Sequence, residues 1–290
     1  MRVLITGAAG QVGSALVASV PPQTELQALD QRQLDISDAR AVRAAVTAFR
    51  PHVIINAAAY TAVDKAEAEP KLAAAANAKA PGHLAEAAWA LKGCRLIHIS
   101  TDYVFDGRAD EPYKPSDAPH PLSVYGRTKL AGEQAVLDVL AERAVVLRTA
   151  WVYAPRGRNF LLTMLRLMRE HGAVRVVADQ KGTPTAAASI ARALWCIAQH
   201  SSVRGVLHWT DAGVASWHEF AQAIAEDALA AGLLPQAVQV TPIATVEYPT
   251  AAHRPANSVL DTRASVALLG IHPKPWRQSL RATLAQLPRG

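Results

Sequence analysis

Three groups in this 290-residue chain have residue types and spacings that could do chemistry together. Tyr125 and Lys129 stand four apart in Tyr125-Gly126-Arg127-Thr128-Lys129. On a helix, positions i and i+4 share a face, so phenol and ammonium converge on one point. A free phenol titrates near about 10, and a neighbouring ammonium stabilises the phenolate and lowers that value. Tyr125 could then exchange a proton with a substrate oxygen. Alone, such a pair is commonplace on helix surfaces. The run His98-Ile99-Ser100-Thr101-Asp102-Tyr103-Val104-Phe105 adds a hydroxyl, Thr101, and a carboxylate, Asp102, at the end of an apolar strand. Ligands of open parallel sheets bind at the carboxyl ends of strands. Thr101 is therefore placed for a reacting oxygen and Asp102 for sugar hydroxyls, while His98 reads as a satisfied core residue.

The third group is Gly7-Ala8-Ala9-Gly10-Gln11-Val12-Gly13. Gly7 permits a tight turn, Gly10 lets backbone approach a pyrophosphate, and Gly13 lets a helix pack on a strand. The helix N-terminus then offers free N–H groups to phosphates. Asp30 ends the next strand, where a ribose 2′-hydroxyl would lie. Arg32, two residues on, could instead pair with a 2′-phosphate, so both NADH and NADPH remain open as the cofactor.

These groups need elements to hold them. Apolar runs at Arg2 to Thr6, Glu25 to Leu29, Val53 to Asn56, Arg95 to Ser100 and Val145 to Thr149 read as strands. Helical segments alternate with them: Gln11 to Val20, a helix capped at Ser37 or Asp38 and running to Phe49, an Ala-rich helix interrupted by Pro81, and Leu122 to about Ala141. That alternation predicts an α/β fold with a Rossmann-type doubly wound parallel sheet. The second half predicts helices at Phe160 to His171, Thr185 to Gln199, Ser216 to Ala231 and Trp276 to Leu287, and a strand at Val174 to Val177. The proline-bearing stretch from Pro235 to Arg263 reads as surface loops. Residues 1–150 are expected to form the NAD(P)-binding domain. Residues 151–290 are expected to form mainly a smaller substrate-binding lobe, with some segments returning to the sheet.

Half the residues are apolar and 19% are charged, as in an ordinary globular protein. No apolar run approaches the roughly 18 to 20 residues of a membrane span. Met1 leads directly into a strand, which leaves no room for a leader peptide, and a cytoplasmic location is expected. Cys94 and Cys196 are expected to be buried free thiols. The net charge is +6, but its Lys and Arg residues are dispersed, which suits a phosphate-bearing substrate and cofactor better than nucleic acid.

The chain resembles the dTDP-4-dehydrorhamnose reductase family over nearly its whole length. The resemblance rests on Gly7 to Gly13, Asn56 to Glu67, Ser100 to Phe105, Tyr125 to Glu133, Arg148 to Tyr153, Asp179 to Thr185 and Arg254 to Ser258. The Tyr60-Thr61-Ala62-Val63-Asp64-Lys65-Ala66-Glu67 block is the most specific of these. The resemblance implies NAD(P)H-dependent reduction of the C4 keto group of a nucleotide sugar. It puts the catalytic threonine, tyrosine and lysine at Thr101, Tyr125 and Lys129. It puts cofactor contacts at Gly10, Gln11, Val12, Asp30, Asp35, Ile36, Ala59, Tyr60 and Thr61, shared with Tyr125 and Lys129. Sugar-nucleotide contacts fall on Thr101, Asp102 and Trp151, whose indole face suits a sugar ring. Lys181, Arg254 and Asn257 are further candidates for the nucleotide or its phosphates. Some family members carry a metal at a dimer contact through acidic side chains, one of them early in the first helix; Ala15 stands there, and no metal site is expected. A monomer or a homodimer would fit.

The nearest enzymatic rival is a nucleotide-sugar 4,6-dehydratase or 4-epimerase of the same fold. Nucleotide-sugar 4,6-dehydratases follow the strand-end threonine with Asp-Glu, whereas Tyr103 stands here in place of the glutamate and argues against dehydration. The rival from another class is a non-catalytic dinucleotide-binding regulatory subunit, since fold does not fix function. The intact Thr101, Tyr125 and Lys129 speak for an enzyme.

Overall fold

The computed structural model describes residues 1–288. Its first half runs β1 (Arg2–Thr6), α1 (Gln11–Ala18), β2 (Glu25–Leu29), α2 (Ala39–Phe49), β3 (Val53–Asn56), α3 (Val63–Ala68), α4 (Pro70–Ala74), α5 (Ala80–Trp89), β4 (Arg95–Thr101), α6 (Val124–Leu140) and β5 (Ala144–Thr149). The second half adds β6 (Val152–Tyr153), α7 (Phe160–His171), β7 (Ala173–Val177), β8 (Lys181–Gly182), β9 (Thr185–Ala186), α8 (Ala187–Gln199) and β10 (Gly205–His208). It closes with β11 (Ala215–Ser216), α9 (Trp217–Ala230), β12 (Gln239–Ile243), α10 (Arg263–Leu269) and α11 (Trp276–Leu284).

Six strands form one parallel sheet in the order β10-β5-β4-β3-β1-β2. Every residue of β3 and β5 is buried, as a sheet covered on both faces requires. Alternation with period two divides the strands between two layers. Val3, Ile5, Ile55, Ile97 and Leu147 pack with Leu16 of α1 and Ile190 and Leu194 of α8. Leu4, Ile54 and Leu96 face the other way, onto Val42, Leu84 and Val136 of α2, α5 and α6. This is the expected α/β architecture. Its sixth strand and one of its covering helices come from beyond residue 150. A separate core joins Leu161 and Leu165 of α7, Phe220 and Ile224 of α9 and Leu280 of α11.

Two local expectations need correction. The stretch expected to be loops after Pro235 contains β12, which pairs in parallel with β7. Pro242 lies inside it, and the two-stranded ribbon tolerates a residue without an N–H because it is all edge. Pro81 does not interrupt its helix. A π-helical turn at Ala75–Lys79 precedes it, and the wider turn accommodates the ring and the carbonyl four residues back, at Asn77. Both cysteines are free; Cys94 is buried and Cys196 only partly so.

Candidate active site

The glycine turn leaves β1 through Gly7 at φ +73°, a left-handed conformation. A Cβ at Gly7 would lie 2.5 Å from the Ala58 nitrogen, so the turn nests against the segment that follows β3. A Cβ at Gly13 would meet the Gly7 carbonyl oxygen at 2.1 Å. Gly10 is the N-cap of α1 and brings no side-chain bond, which leaves the first N–H groups of the helix without a side-chain partner. This is the arrangement that takes a phosphate.

Gly10, Gln11, Val12, Ala59 and Thr61 line a cleft of about 820 Å³ across the carboxyl ends of the strands. Thr101, Asp102, Tyr125, Lys129, Trp151 and Arg254 line the same cleft. Other expected cofactor residues lie outside its wall. Asp30 closes the turn after β2 by accepting from the Arg32 and Gln33 N–H groups, at 2.9 and 3.0 Å. Asp35 accepts from the Ser37 hydroxyl and N–H, which holds its carboxyl below the usual range. Ile36 is buried. The Tyr60 N–H donates to Asn77 (2.8 Å), and its hydroxyl to Glu69.

Thr101 ends β4 and caps the single 3₁₀ turn of Asp102–Val104 by accepting from the Tyr103 N–H. The α6 helix lies hard against that turn: a Cβ at Gly126 would come within 2.2 Å of the Tyr103 carbonyl oxygen. Two side chains fix the start of α6. Ser123 accepts from the Gly126 N–H at 3.1 Å, and Glu67 of α3 accepts from the Val124 N–H at 2.7 Å. So seated, α6 brings the Tyr125 phenol to the Thr101 hydroxyl. Burial pushes Tyr125 up to about 12; the bond to Thr101 pulls it back and the charge of Asp102 adds to the rise. Thr101 Oγ1 also donates to Asp102 Oδ1 (3.0 Å), while Asp102 Oδ2 is buried without a partner. Burial raises the Asp102 carboxyl to about 6.

Lys129 is only 2% exposed. Its Nζ donates to the Ile99 carbonyl at 2.7 Å and lies 3.3 Å from His98 Nε2. Burial brings it down to about 8, against the pull of Glu133. The lowering of the phenol that helix spacing led us to expect is therefore corrected. Desolvation dominates Tyr125, and the lysine head is turned toward the backbone of β4.

The opposite wall is aromatic. Trp151 sits at φ +47°, in a region that costs a non-glycine residue on the order of 1 kcal/mol. Its indole stacks on Trp217 with centroids 3.5 Å apart and an interplanar angle of 4°. One indole face is thus already taken. A Cβ at Gly182 would lie 2.4 Å from the same indole. Arg254 is held by both oxygens of Asp64, at 2.7 and 3.1 Å. Lys181 and Asn257 are not among the cleft's residues. Lys181 is exposed on β8, and Asn257 clasps a loop by donating to the Ala109 carbonyl at 2.8 Å. Arg158 and Arg175 also face the cleft, with Arg254 and Lys129. Sequence reasoning missed Arg158, Arg175 and Trp217. Arg158 had a signal, its place in an Arg-Gly-Arg loop before α7; Trp217 had none.

A parallel sheet, a glycine turn at its first strand and a Thr-Tyr-Lys cluster in one cleft define an extended short-chain dehydrogenase/reductase. Within that class the chain belongs to the family described as RmlD substrate binding domain, which it matches over residues 1–289. It is 42% identical to a dTDP-4-dehydrorhamnose reductase of Aggregatibacter actinomycetemcomitans, over 97% of each chain. It is 44% identical to a probable dTDP-4,6-dihydroxy-2-methyloxan-3-one 4-ketoreductase of Streptomyces antibioticus, over 97% of this chain and 94% of that one. The crystal structure of a Bacillus anthracis dTDP-4-dehydrorhamnose reductase in complex with NADP superposes with a TM-score of 0.91 at 37% identity, covering 97% and 98% of the two chains.

Proposed function

We propose that this chain reduces the C4 keto group of dTDP-4-dehydro-L-rhamnose to give dTDP-L-rhamnose, with NADPH or NADH as reductant. The observation that carries this reading is that Thr101, Tyr125 and Lys129 line the same cleft as Gly10, Gln11 and Val12 at the N-terminus of α1. The donor set fits a dinucleotide: uncapped N–H groups for phosphate, and a slot lined by Ala57, Ala59 and Thr61 for its sugars. The reduced nicotinamide, when bound, supplies the hydride. As charge builds on the C4 oxygen, Thr101 holds it by hydrogen bonding and Tyr125 delivers the proton. A phenol raised to about 12 is fully protonated at neutral pH, so the acid is loaded when substrate arrives. It remains far more acidic than the alcohol formed when the C4 alkoxide takes its proton, since water itself titrates near about 15.7. Lys129 steadies the resulting phenolate. Asp102 and Trp151 face the sugar, and Arg254 with Arg158 and Arg175 faces the diphosphate.

The second half then works mainly as a substrate lobe on the dinucleotide-binding first half. Among the described residues no helix is long and apolar enough to cross a membrane, and a cytoplasmic enzyme, monomeric or dimeric, with no nucleic-acid partner, suits the reading. The Streptomyces relative is named a probable 4-ketoreductase of a different dTDP-sugar, so the test is read on the sugar product. Purified protein is given NADPH or NADH with dTDP-4-dehydro-L-rhamnose generated in situ. Loss of reduced-nicotinamide absorbance with formation of dTDP-L-rhamnose is expected; oxidation with no such product would overturn the assignment.

A further inference from the structure

Behind the catalytic side chains a line of buried polar groups crosses three strands. Thr6 on β1 donates from its hydroxyl to Asn56 Oδ1 at 2.7 Å, and the Ala58 N–H donates to the same oxygen at 3.1 Å. Asn56 Nδ2 lies 3.0 Å from His98 Nδ1, and His98 Nε2 lies 3.3 Å from Lys129 Nζ. Asn56 and His98 have no exposed surface.

The direction of each bond follows from chemistry. A backbone N–H only donates, so Ala58 turns the Asn56 oxygen toward itself and leaves the amide nitrogen facing His98. An amide nitrogen also only donates, so His98 Nδ1 must accept. Burial and the nearby Lys129 hold this imidazole well below its ordinary range, so it is neutral. A neutral ring with a lone pair on Nδ1 carries its proton on Nε2. That N–H points at Lys129. An ammonium has three donors and no acceptor, and would meet the imidazole N–H head-on. A neutral amine can accept from Nε2–H while still donating to the Ile99 carbonyl at 2.7 Å.

We propose that His98, locked by Asn56 into the tautomer protonated on Nε2, is a positioning residue for the reduction: it donates to Lys129 Nζ and favours the neutral amine over the ammonium. Its part in turnover rests on the reductase reading; the tautomer does not. Burial acts in the same direction, bringing Lys129 to about 8. The other groups around Nζ do not reverse it. Glu133 favours the ammonium, but both its oxygens are engaged by Arg148, at 3.0 and 2.7 Å. Asp102, raised by burial only to about 6, is a carboxylate near pH 8, but one of its oxygens takes the Thr101 hydroxyl and its charge is not among those acting on Lys129; Tyr125, at about 12, is a neutral phenol there. Lys129 therefore stands near balance between two proton states, and the charged form that steadies the Tyr125 phenolate is lost as pH rises through about 8.

Two measurements test this on the full-length protein. In ¹⁵N-histidine-labelled protein, His98, assigned through its bond to the Asn56 amide, should show a protonated Nε2 and a bare Nδ1. A protonated Nδ1 overturns the proposal whatever the activity. Asn56→Asp keeps an acceptor for Ala58 and Thr6 but can no longer donate to the ring. The carboxylate should accept from Nδ1–H, turning Nε2 into an acceptor for the ammonium. The basic limb of the kcat profile should then move up by about one pH unit, the worth of one hydrogen bond to a charged group. An unmoved limb in a folded, cofactor-binding Asn56→Asp protein overturns the role. Wild-type protein with the Nε2 tautomer but no sugar turnover would instead refute the reductase reading.

Discussion

Gly182→Ala tests whether the aromatic wall is set by packing. The added methyl would sit 2.4 Å from one indole carbon of Trp151 and 2.5 Å from the indole nitrogen, well inside van der Waals contact. The ring has little room to retreat, because Trp217 lies parallel at 3.5 Å and the Trp151 backbone is already in a left-handed conformation. Overpacking of this kind costs about 1–3 kcal/mol. For a large domain each kcal/mol moves Tm by roughly 2–4 °C. If the displaced indole is the sugar contact, KM for the sugar nucleotide should rise about tenfold, the equivalent of 1.4 kcal/mol. The cofactor's Kd should hold, since its proposed contacts lie on the far side of the cleft. Thermal melting, steady-state kinetics and cofactor titration on one preparation give all three numbers. A variant with parental Tm and parental KM would show that the wall is soft and that Trp151 does not read the sugar.

Three further outcomes are expected. Tyr125→Phe removes the proton donor and should lower kcat on the order of 10²- to 10⁴-fold with cofactor affinity nearly unchanged; near-full turnover would pass the role to Thr101. Asp64→Asn weakens the grip on Arg254 and should raise KM severalfold with kcat held, a modest effect because Asp64 is half exposed; an unchanged KM would free Arg254 of any substrate role. Asp102, raised to about 6 against about 3.9 in an unfolded chain, binds more protons folded than unfolded between those values. Its contribution to stability therefore falls as pH rises through that window. Asp102→Asn should gain Tm relative to the parent on going from pH 4 to pH 7, and a pH-independent difference would contradict the shift.

What could be read from the sequence was what short spacing determines. Gly7, Gly10 and Gly13 imply their own turn, and Tyr125 and Lys129 share a helix face by arithmetic. The specific Tyr60 to Glu67 block was recognisable, but only the structure says what it does: Asp64 grips Arg254 and Glu67 holds the start of α6. Contacts across long stretches of chain left no local trace. Trp217 meets Trp151 through tertiary packing, and Lys181 lost its place in the cleft to Arg158 and Arg175 because β8 turns it outward. The strand β12 was hidden by Pro242, since a ribbon that is all edge relaxes the rule that excludes proline. The direction of Lys129 depended on burial, which helix spacing cannot report.

The sheet is completed late. β5 is synthesised by residue 149, but its outer neighbour β10 ends at His208, and α8, which covers one face, lies between them. At roughly 5–20 residues per second the ribosome needs several seconds to deliver them. During that interval the nascent chain carries an open β5 edge and an apolar face covered only in part, by α1. A gene cut after residue 150 would make the delay permanent, leaving a fragment that invites strand-to-strand association. A dinucleotide-binding module for grafting would have to extend at least through His208.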